Sequence, residues 1–184
     1  MLIFTRPGSS EGFTLFELLT VLAVLAIAIS TVLPSMRVLL HKTQLRTQAN
    51  RLVTALNLTR SEAVWRNAFV SMCPSEFPAA AAPTCSGAYA DGWIIYTNAD
   101  RDSIVDPGTD QVLGVFEALH AGYSVTNRAR TRLANEIITF YTDGTSRKNR
   151  TLMLCPPSGS RASSVSIVMN RMGRSRLSDD WGDC

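Results

Sequence analysis

Histidines, serines and carboxylates are the side chains that catalysis would use, and this sequence does not group them. It has two histidines, His41 and His120, and neither stands near a candidate nucleophile in the sequence. Acid–base and nucleophilic mechanisms need a base within hydrogen-bond reach of the group that it activates. The sequence therefore predicts a protein that is not an enzyme and that needs no cofactor.

An acidic loop at residues 98–106 is a candidate metal site. Asn98, Asp100 and Asp102 alternate like the first three ligands of a calcium-binding loop. Ser103, however, replaces the glycine of the sharp turn, and the twelfth position is Thr109 rather than a glutamate. Aspartates also stabilise tight turns without any ion. We therefore predict a turn that holds no metal, and calcium is the alternative.

The four cysteines form an even set: Cys73, Cys85, Cys155 and Cys184. Their spacing fits no zinc site, because it contains no Cys-x-x-Cys and the histidines stand apart. An even count behind an apolar N-terminal segment favours disulfides in an oxidising compartment. Three pairings are possible. We favour Cys73–Cys85, which closes a short loop, and Cys155–Cys184, which fixes the C-terminus. Each bond would add about 3 kcal/mol to the free energy of unfolding.

Positive charge is concentrated towards the C-terminus. Residues 128–176 contain ten Lys and Arg against two acidic residues, a net charge of +8, whereas the whole chain has +3. Such a stretch indicates an anionic partner such as nucleic acid or lipid headgroups. A solvated surface that keeps the domain soluble is the alternative.

Two arginines in this stretch have a spacing that suits phosphate groups. Arg174 and Arg176 fall on one face of an extended strand, about 6.6 Å apart, and Gly173 permits a turn before them. A guanidinium makes bidentate contacts with phosphate oxygens. The alternative is a pair of solvated edge residues that prevent strand addition. Weaker candidates to extend the same patch are Lys148, Arg150, Arg161 and Arg171.

A carboxylate interrupts the longest apolar run of the chain. From Phe13 to Leu33 the residues are apolar except for Glu17 and four Ser or Thr. As a helix this run would be about 32 Å long, which matches one bilayer core. A charged side chain inside the bilayer costs several kcal/mol of free energy, so we expect a residue that carries one there to have a function. We predict a transmembrane helix over 13–35 and a function for Glu17.

The rest of the chain predicts an α+β fold. Over 36–68, apolar residues recur at steps of three and four, as on one face of a helix. Later runs of β-branched or aromatic residues, bounded by Gly, Asp or Pro, predict antiparallel strands. We expect a lollipop, in which the second half of a long helix packs on a β-sheet domain at 69–184. The predicted strands are 92–98, 111–117, 122–127, 136–142, 150–155 and 164–170.

The N-terminus resembles the class III signal of type IV pilins and type II secretion pseudopilins. A polar leader at 1–12 ends in Gly12, Phe13 follows, and Glu17 comes four residues later. The resemblance implies that a prepilin peptidase cuts after Gly12 and methylates the new N-terminus at Phe13. It also implies that Glu17 neutralises the N-terminal amine of a neighbouring subunit in a fibre. The alternatives are an uncut signal anchor and a helix-capping carboxylate.

Three other segments resemble the GspH/FimT branch of pseudopilins and minor pilins. These segments are residues 56–75, 91–113 and 172–177. The Gly-Arg-x-Arg motif at Gly173, Arg174 and Arg176 resembles the DNA-binding element of FimT.

These resemblances imply a minor pilin with a single pass through the inner membrane and a periplasmic C-terminal domain. Such a protein assembles with other pilins into a fibre and contacts DNA in natural transformation. Duplex DNA is favoured, because the sequence contains no aromatic-rich stretch on which bases could stack. The alternative is a GspH-type pseudopilin of the type II secretion system, or a FimU-like pilus-priming subunit, with a purely structural role.

Overall fold

The computed structural model describes residues 12, 14–77, 80, 82–102, 104–158, 163–179 and 184, and it describes no side chain at 31–35 or 37. The leader residues 1–11, Phe13 and Arg161 therefore lie outside the described residues. The chain divides into two compact units, Met1–Arg37 and Val38–Cys184.

Helix α1 (Leu15–Arg66) begins in the first unit. Thr14 caps it, since its Oγ1 accepts a hydrogen bond from the backbone N–H of Glu17 at 3.2 Å. Among the described residues, no helix is both long enough and apolar enough to cross a membrane. Many large apolar side chains of this unit are exposed: Leu15, Phe16, Leu18, Leu19, Val21, Leu22, Val24, Leu25, Ile27 and Ile29.

In the second unit, one face of α1 is buried in the protein core. The apolar positions recur every three or four residues, so their side chains fall on one side of the helix. The core also takes residues from strands of both β-sheets. This packing confirms the predicted α+β fold. The buried core residues of the helix are Leu45, Ala49, Leu52, Ala55, Leu56 and Ala63.

The described part of the second unit forms two four-stranded antiparallel sheets. The first has the order β3-β2-β1-β5 and the second the order β4-β6-β7-β8. Six of the strands correspond to the predicted ones, whereas β1 and β8 were not among them. The strands are β1 (Val70–Pro74), β2 (Gly92–Thr97), β3 (Val112–Glu117), β4 (Ser124–Asn127), β5 (Ile138–Phe140), β6 (Arg150–Cys155), β7 (Val165–Met169) and β8 (Ser175–Ser178).

Two disulfides join the pairs that the sequence favoured. Cys73 of β1 bonds to Cys85, twelve residues later, and Cys155 at the end of β6 bonds to Cys184. The first bond holds the loop between β1 and β2 against the first sheet. The favoured pairing is thus confirmed.

Two tyrosines are buried in or beside the first sheet. The Tyr89 hydroxyl lies 3.1 Å from the carbonyl oxygen of Met72 and 2.9 Å from that of Glu136, so its proton is shared between two acceptors. Burial raises the pKa of Tyr89 far above its usual value of 10. Burial, and then the charges of Asp110 and Asp102, raises the pKa of Tyr96 to about 12.

The first disulfide should contribute strongly to stability. Replacing both Cys73 and Cys85 by Ala frees a loop of about a dozen residues in the unfolded chain, so we expect a loss of about 3 kcal/mol. Urea unfolding of the residue 38–184 unit, followed by circular dichroism, measures that loss. An unchanged unfolding midpoint would show that this bond does not constrain the fold.

The tyrosines predict a decline of stability in alkali. Above pH 10, tyrosines of the unfolded chain lose their protons while Tyr89 and Tyr96 keep theirs in the fold. Unfolding then releases protons, so each residue lowers the free energy of unfolding by about 1.4 kcal/mol per pH unit. The contribution of Tyr96 levels off near pH 12. Below pH 10 neither contributes a slope.

Tyr89→Phe tests this expectation. The variant should lose about 1 kcal/mol at pH 8, through the missing hydrogen bond. Between pH 10 and pH 11.5, urea unfolding should give it a shallower decline than the parent. Equal slopes for the two proteins would contradict the burial of an ionisable Tyr89.

Candidate nucleic-acid interface

The turn between β7 and β8, residues 170–174, is held closed by its own backbone and by one side chain. The N–H of Asn170 donates to the carbonyl oxygen of Arg174 at 3.1 Å. The N–H of Gly173 donates to the carbonyl oxygen of Asn170 at 2.9 Å. The Asn170 side chain accepts from the N–H of Arg174 at 2.9 Å. We call these five residues the basic turn. Its conformation is fixed before any ligand binds.

Gly173 places the basic turn against the rest of the domain. Its φ is 77°, a left-handed conformation that favours glycine. A Cβ atom at this position would collide with the carbonyl oxygen of Gly144 and would lie 2.9 Å from Cε1 of Phe140. The turn expected at Gly173 is therefore present, and a side chain there would push it off the loop at 141–149.

Arg174 ends this turn, and Arg176 follows it in β8. Both are exposed, and within the described residues neither guanidinium has a hydrogen bond or an ion pair. They line an open groove of about 450 Å³ together with Val168 and Asn170. Arg176 lies opposite Val168 in the strand register, at an outer edge of the second sheet. Both charges are thus free to meet an anion.

The loop at 141–149 brings further cations beside the basic turn. The N–H groups of Ser146 and Arg147 donate to the carbonyl oxygen of Arg171 at 3.1 and 3.2 Å. The N–H of Arg171 donates to Oδ1 of Asn149 at 2.9 Å. The side chains of Arg171 and Lys148 are exposed here. Two of the four weaker candidates therefore lie near the predicted pair.

Two cations at this place were missed by the sequence analysis. Arg60 of α1 donates through Nε to the carbonyl oxygen of Gly144 at 2.9 Å, which links the helix to the same loop. Arg147 is exposed and lies beside Arg171. Arg147 stands next to Lys148 in the chain, and that adjacency was an available signal. Nothing in the sequence related Arg60 to this surface.

Arg150 has a different environment from the other candidates. Its guanidinium forms an ion pair with Glu136 and donates to the carbonyl oxygen of Ile137 at 3.0 Å. Its side chain is only 14% exposed. Arg132 pairs with the same carboxylate. A cation that is buried and paired gains less from a phosphate, because it must first leave its partner.

The acidic loop brings three carboxylates together. Oxygens of Asp100, Asp102 and Asp106 lie within 4.8 Å of one another. The carboxylate of Asp102 accepts a hydrogen bond from the N–H of Ile104 at 2.7 Å, and the carboxylate of Asp100 accepts one from the N–H of Asp102 at 3.3 Å. Aspartates form the same bonds in turns that hold no metal. Desolvation and the neighbouring carboxylates raise the pKa of Asp106. The expectation of a turn without metal stays a prediction.

Neither histidine lies in a catalytic arrangement within the described residues. Nδ1 of His41 is 3.4 Å from the hydroxyl of Tyr123, and His120 is exposed. In that part of the chain neither ring has a hydrogen bond to a serine, a cysteine or a carboxylate.

Solved structures and curated proteins resemble this chain. Crystal structures of the type IV minor pilin FimU from Pseudomonas aeruginosa match with TM-scores of 0.54 and 0.51 at 19% identity. They cover 78% and 76% of this chain and 94% and 97% of the FimU chains. At that identity they show the fold alone. The pilin-like protein PilA1 of Thermus thermophilus is 29% identical over an alignment of 172 residues, and the alignment covers 91% of this chain and 97% of PilA1.

A family match completes the comparison. Residues 48–173 match the family described as type II transport protein GspH. The matched region covers well over half of the chain and ends at Gly173, just before Arg174. With the pilin-like fold, this match shows that the chain belongs to the GspH family, as a pilin-like subunit of the type IV pilus or type II secretion class.

Proposed function

We propose that this protein is a minor pilin that contacts DNA through the basic turn and takes part in its uptake during natural transformation. One observation carries the proposal: Arg174 and Arg176 are exposed and unpaired among the described residues, and the Gly173 contact fixes the turn and the strand that carry them. A fixed strand loses little conformational entropy when it binds, so more of the interaction energy appears as affinity. Arg171 adds an exposed charge within the same turn, and Lys148 adds one in the neighbouring loop.

The recognition should be independent of DNA sequence. The cations at this surface would bind phosphate oxygens, and contacts with phosphates carry no information about the base sequence. Duplex DNA offers closely spaced phosphates to such a surface. Three or four phosphate contacts give a log–log salt slope of roughly −3 to −4.

Replacing both Arg174 and Arg176 by Gln should weaken duplex binding and reduce the magnitude of the salt slope by about two. Fluorescence anisotropy of the purified full chain with a labelled duplex, over a range of salt concentrations, measures both quantities. Lys42→Gln with Arg130→Gln removes the same charge from exposed positions elsewhere and should have a much smaller effect. Unchanged affinity in the first variant would eliminate the DNA role.

We further propose that the N-terminus is processed and assembled as the family resemblance implies. A prepilin peptidase cuts after Gly12, methylates Phe13, and leaves a chain anchored in the inner membrane before it joins other pilins in a fibre. The exposed apolar side chains between Leu15 and Ile29 support this, because they need either lipid or neighbouring subunits for burial. Glu17 then meets the amine of an adjoining subunit.

Glu17 also has a local role that any test must separate from assembly. Thr14 and Glu17 have the spacing of a capping box, in which Glu and Gln serve equally. Glu17→Gln therefore keeps the cap and removes the charge. If charge pairing directs assembly, the variant loses a contact of about 3–5 kcal/mol.

In the native host, we expect Glu17→Gln to be cleaved normally but to be strongly depleted from sheared fibres. Intact-mass measurement checks the cleavage, and immunoblotting of the fibre fraction checks the assembly. Normal incorporation of the variant would leave capping as the role of Glu17. A fully functional chain that retains residues 1–12 would overturn the processing proposal itself.

A second candidate is a pseudopilin of the type II secretion system with a purely structural role. The match to the GspH family favours it, since that family is described as a type II transport protein. A deletion strain separates the two functions. Loss of transformation with intact secretion supports the minor pilin, and the reverse result supports the pseudopilin.

A further inference from the structure

The acidic loop between β2 and β3 gathers carboxylates without a compensating cation. Oxygens of Asp100, Asp102 and Asp106 lie within 4.8 Å of one another, and the carboxylate of Asp110 accepts a hydrogen bond from the N–H of Asp106 at 3.1 Å. The ion pairs formed among the described residues involve none of these four carboxylates. The guanidinium of Arg101, within the same loop, lies over an aromatic ring instead. Like charges at such distances repel one another, so a bound cation would stabilise the loop.

A buried oxygen atom at the base of this loop has no partner. Asn98 follows β2 and is fully buried. Its amide nitrogen donates to the backbone carbonyl oxygen of Asp102 at 2.9 Å, so the amide faces the loop. Oδ1 of the same amide is buried and has no hydrogen bond within the described part of the chain. A bound water or ion commonly satisfies such a group, because a buried acceptor without a partner is costly.

The oxygens fall at the alternating positions of a calcium-binding loop. If Asn98 is the first position, Asp100 and Asp102 are the third and the fifth, and Asp106 is the ninth. Side chains at these positions bind the ion in such loops, either directly or, at the ninth, through a water molecule. The seventh position, here Ile104, provides its backbone carbonyl oxygen. The loop therefore has an oxygen for each ligand position up to the ninth.

The hydrogen bonds of the turn leave its carboxylates able to bind an ion. Oδ1 of Asp102 accepts from the N–H of Ile104, and Oδ1 of Asp100 accepts from the N–H of Asp102. An ionised carboxylate has two oxygens with about four lone-pair sites, so one such bond does not exhaust it. The turn is therefore compatible with a bound ion.

The donor atoms favour calcium over other common cations. The clustered side chains are all carboxylates, and among the described residues no histidine or cysteine joins them, whereas zinc prefers nitrogen and sulfur. Calcium binds oxygen atoms at about 2.3–2.6 Å, so ligands on opposite sides of the ion lie roughly 4.6–5.2 Å apart. Oxygens within 4.8 Å of one another fit that span. Magnesium requires shorter distances and a stricter octahedral geometry.

We infer that this loop binds one calcium ion through Asn98, Asp100, Asp102 and Asp106. The sequence alone predicted a turn without metal, but the clustered carboxylates and the unpartnered Asn98 oxygen favour the alternative. The loop lacks the bidentate glutamate of tight sites, so we expect a dissociation constant of about 0.1–1 mM, the range of extracellular calcium modules. The inference does not depend on the proposed DNA contact.

The full chain, purified in detergent and treated with EDTA, provides the test. We expect about 10 mM calcium chloride to raise the midpoint of thermal unfolding, followed by circular dichroism, by about 5 °C. Magnesium chloride at the same concentration should have a much smaller effect. Calorimetric titration with calcium measures the affinity.

Asp100→Asn combined with Asp102→Asn removes two charged ligands, while asparagine preserves the hydrogen bonds of the turn. We expect this variant to bind calcium at least about tenfold more weakly and to lose the midpoint shift. Asp143→Asn with Asp179→Asn removes the same charge from exposed positions elsewhere and should retain both. If the first variant does not fold, Asp106→Asn alone should still weaken calcium binding several-fold.

Three outcomes would overturn the inference. Equal shifts in calcium and magnesium would show charge screening rather than a calcium site. Parent-like calcium affinity in the loop variants would exclude these carboxylates as ligands. Equal losses in the loop variant and in the control variant would attribute the effect to net charge. Circular dichroism spectra recorded in EDTA confirm that each variant is folded before calcium is added.

Discussion

Two backbone turns meet where Gly173 lies against the carbonyl oxygen of Gly144 and the ring of Phe140, with no room for a side chain. This close approach fixes where β8 starts, and so it fixes where Arg174 and Arg176 are presented. It also explains why the loop at 141–149 lies beside the basic turn, since Arg60 from α1 donates to the same Gly144 carbonyl oxygen. One steric constraint thus connects the helix and two turns. Cations that are far apart in the chain become a single surface because of it.

Burial divides the arginines of this domain into two kinds. Arg150 is largely enclosed and shares Glu136 with Arg132, so its charge is partly offset within the fold. Arg174 and Arg176 are exposed and unpaired among the described residues, so their charge acts outward. The net charge of +8 over residues 128–176 therefore overstates what a ligand can use. Exposure and pairing, rather than composition, decide which cations can bind phosphate.

The fold was largely predictable from local patterns, because periodicity and turn residues act over a few positions. Six strands, the buried helix face and both disulfides were predicted. β1 was missed because it follows α1 almost directly, with Ser71 and Pro74 interrupting an apolar run that is buried throughout. β8 was missed as a named strand because its residues, Ser175 to Ser178, are mostly polar. Strand pairing at a sheet edge, and not hydrophobic alternation, makes them extended.

The amino-acid sequence by itself determined the family, the N-terminal resemblance to a prepilin signal with its acid at Glu17, and the arginine pair after Gly173, because each depends on residues that are neighbours in the chain. Only the tertiary structure decided which other side chains share that surface. Arg60 and Arg147 meet the basic turn because α1, the loop at 141–149 and the β7–β8 turn pack around one glycine contact. No spacing along the chain encodes such a meeting, since contact between distant residues is set by how the sheets and the helix pack.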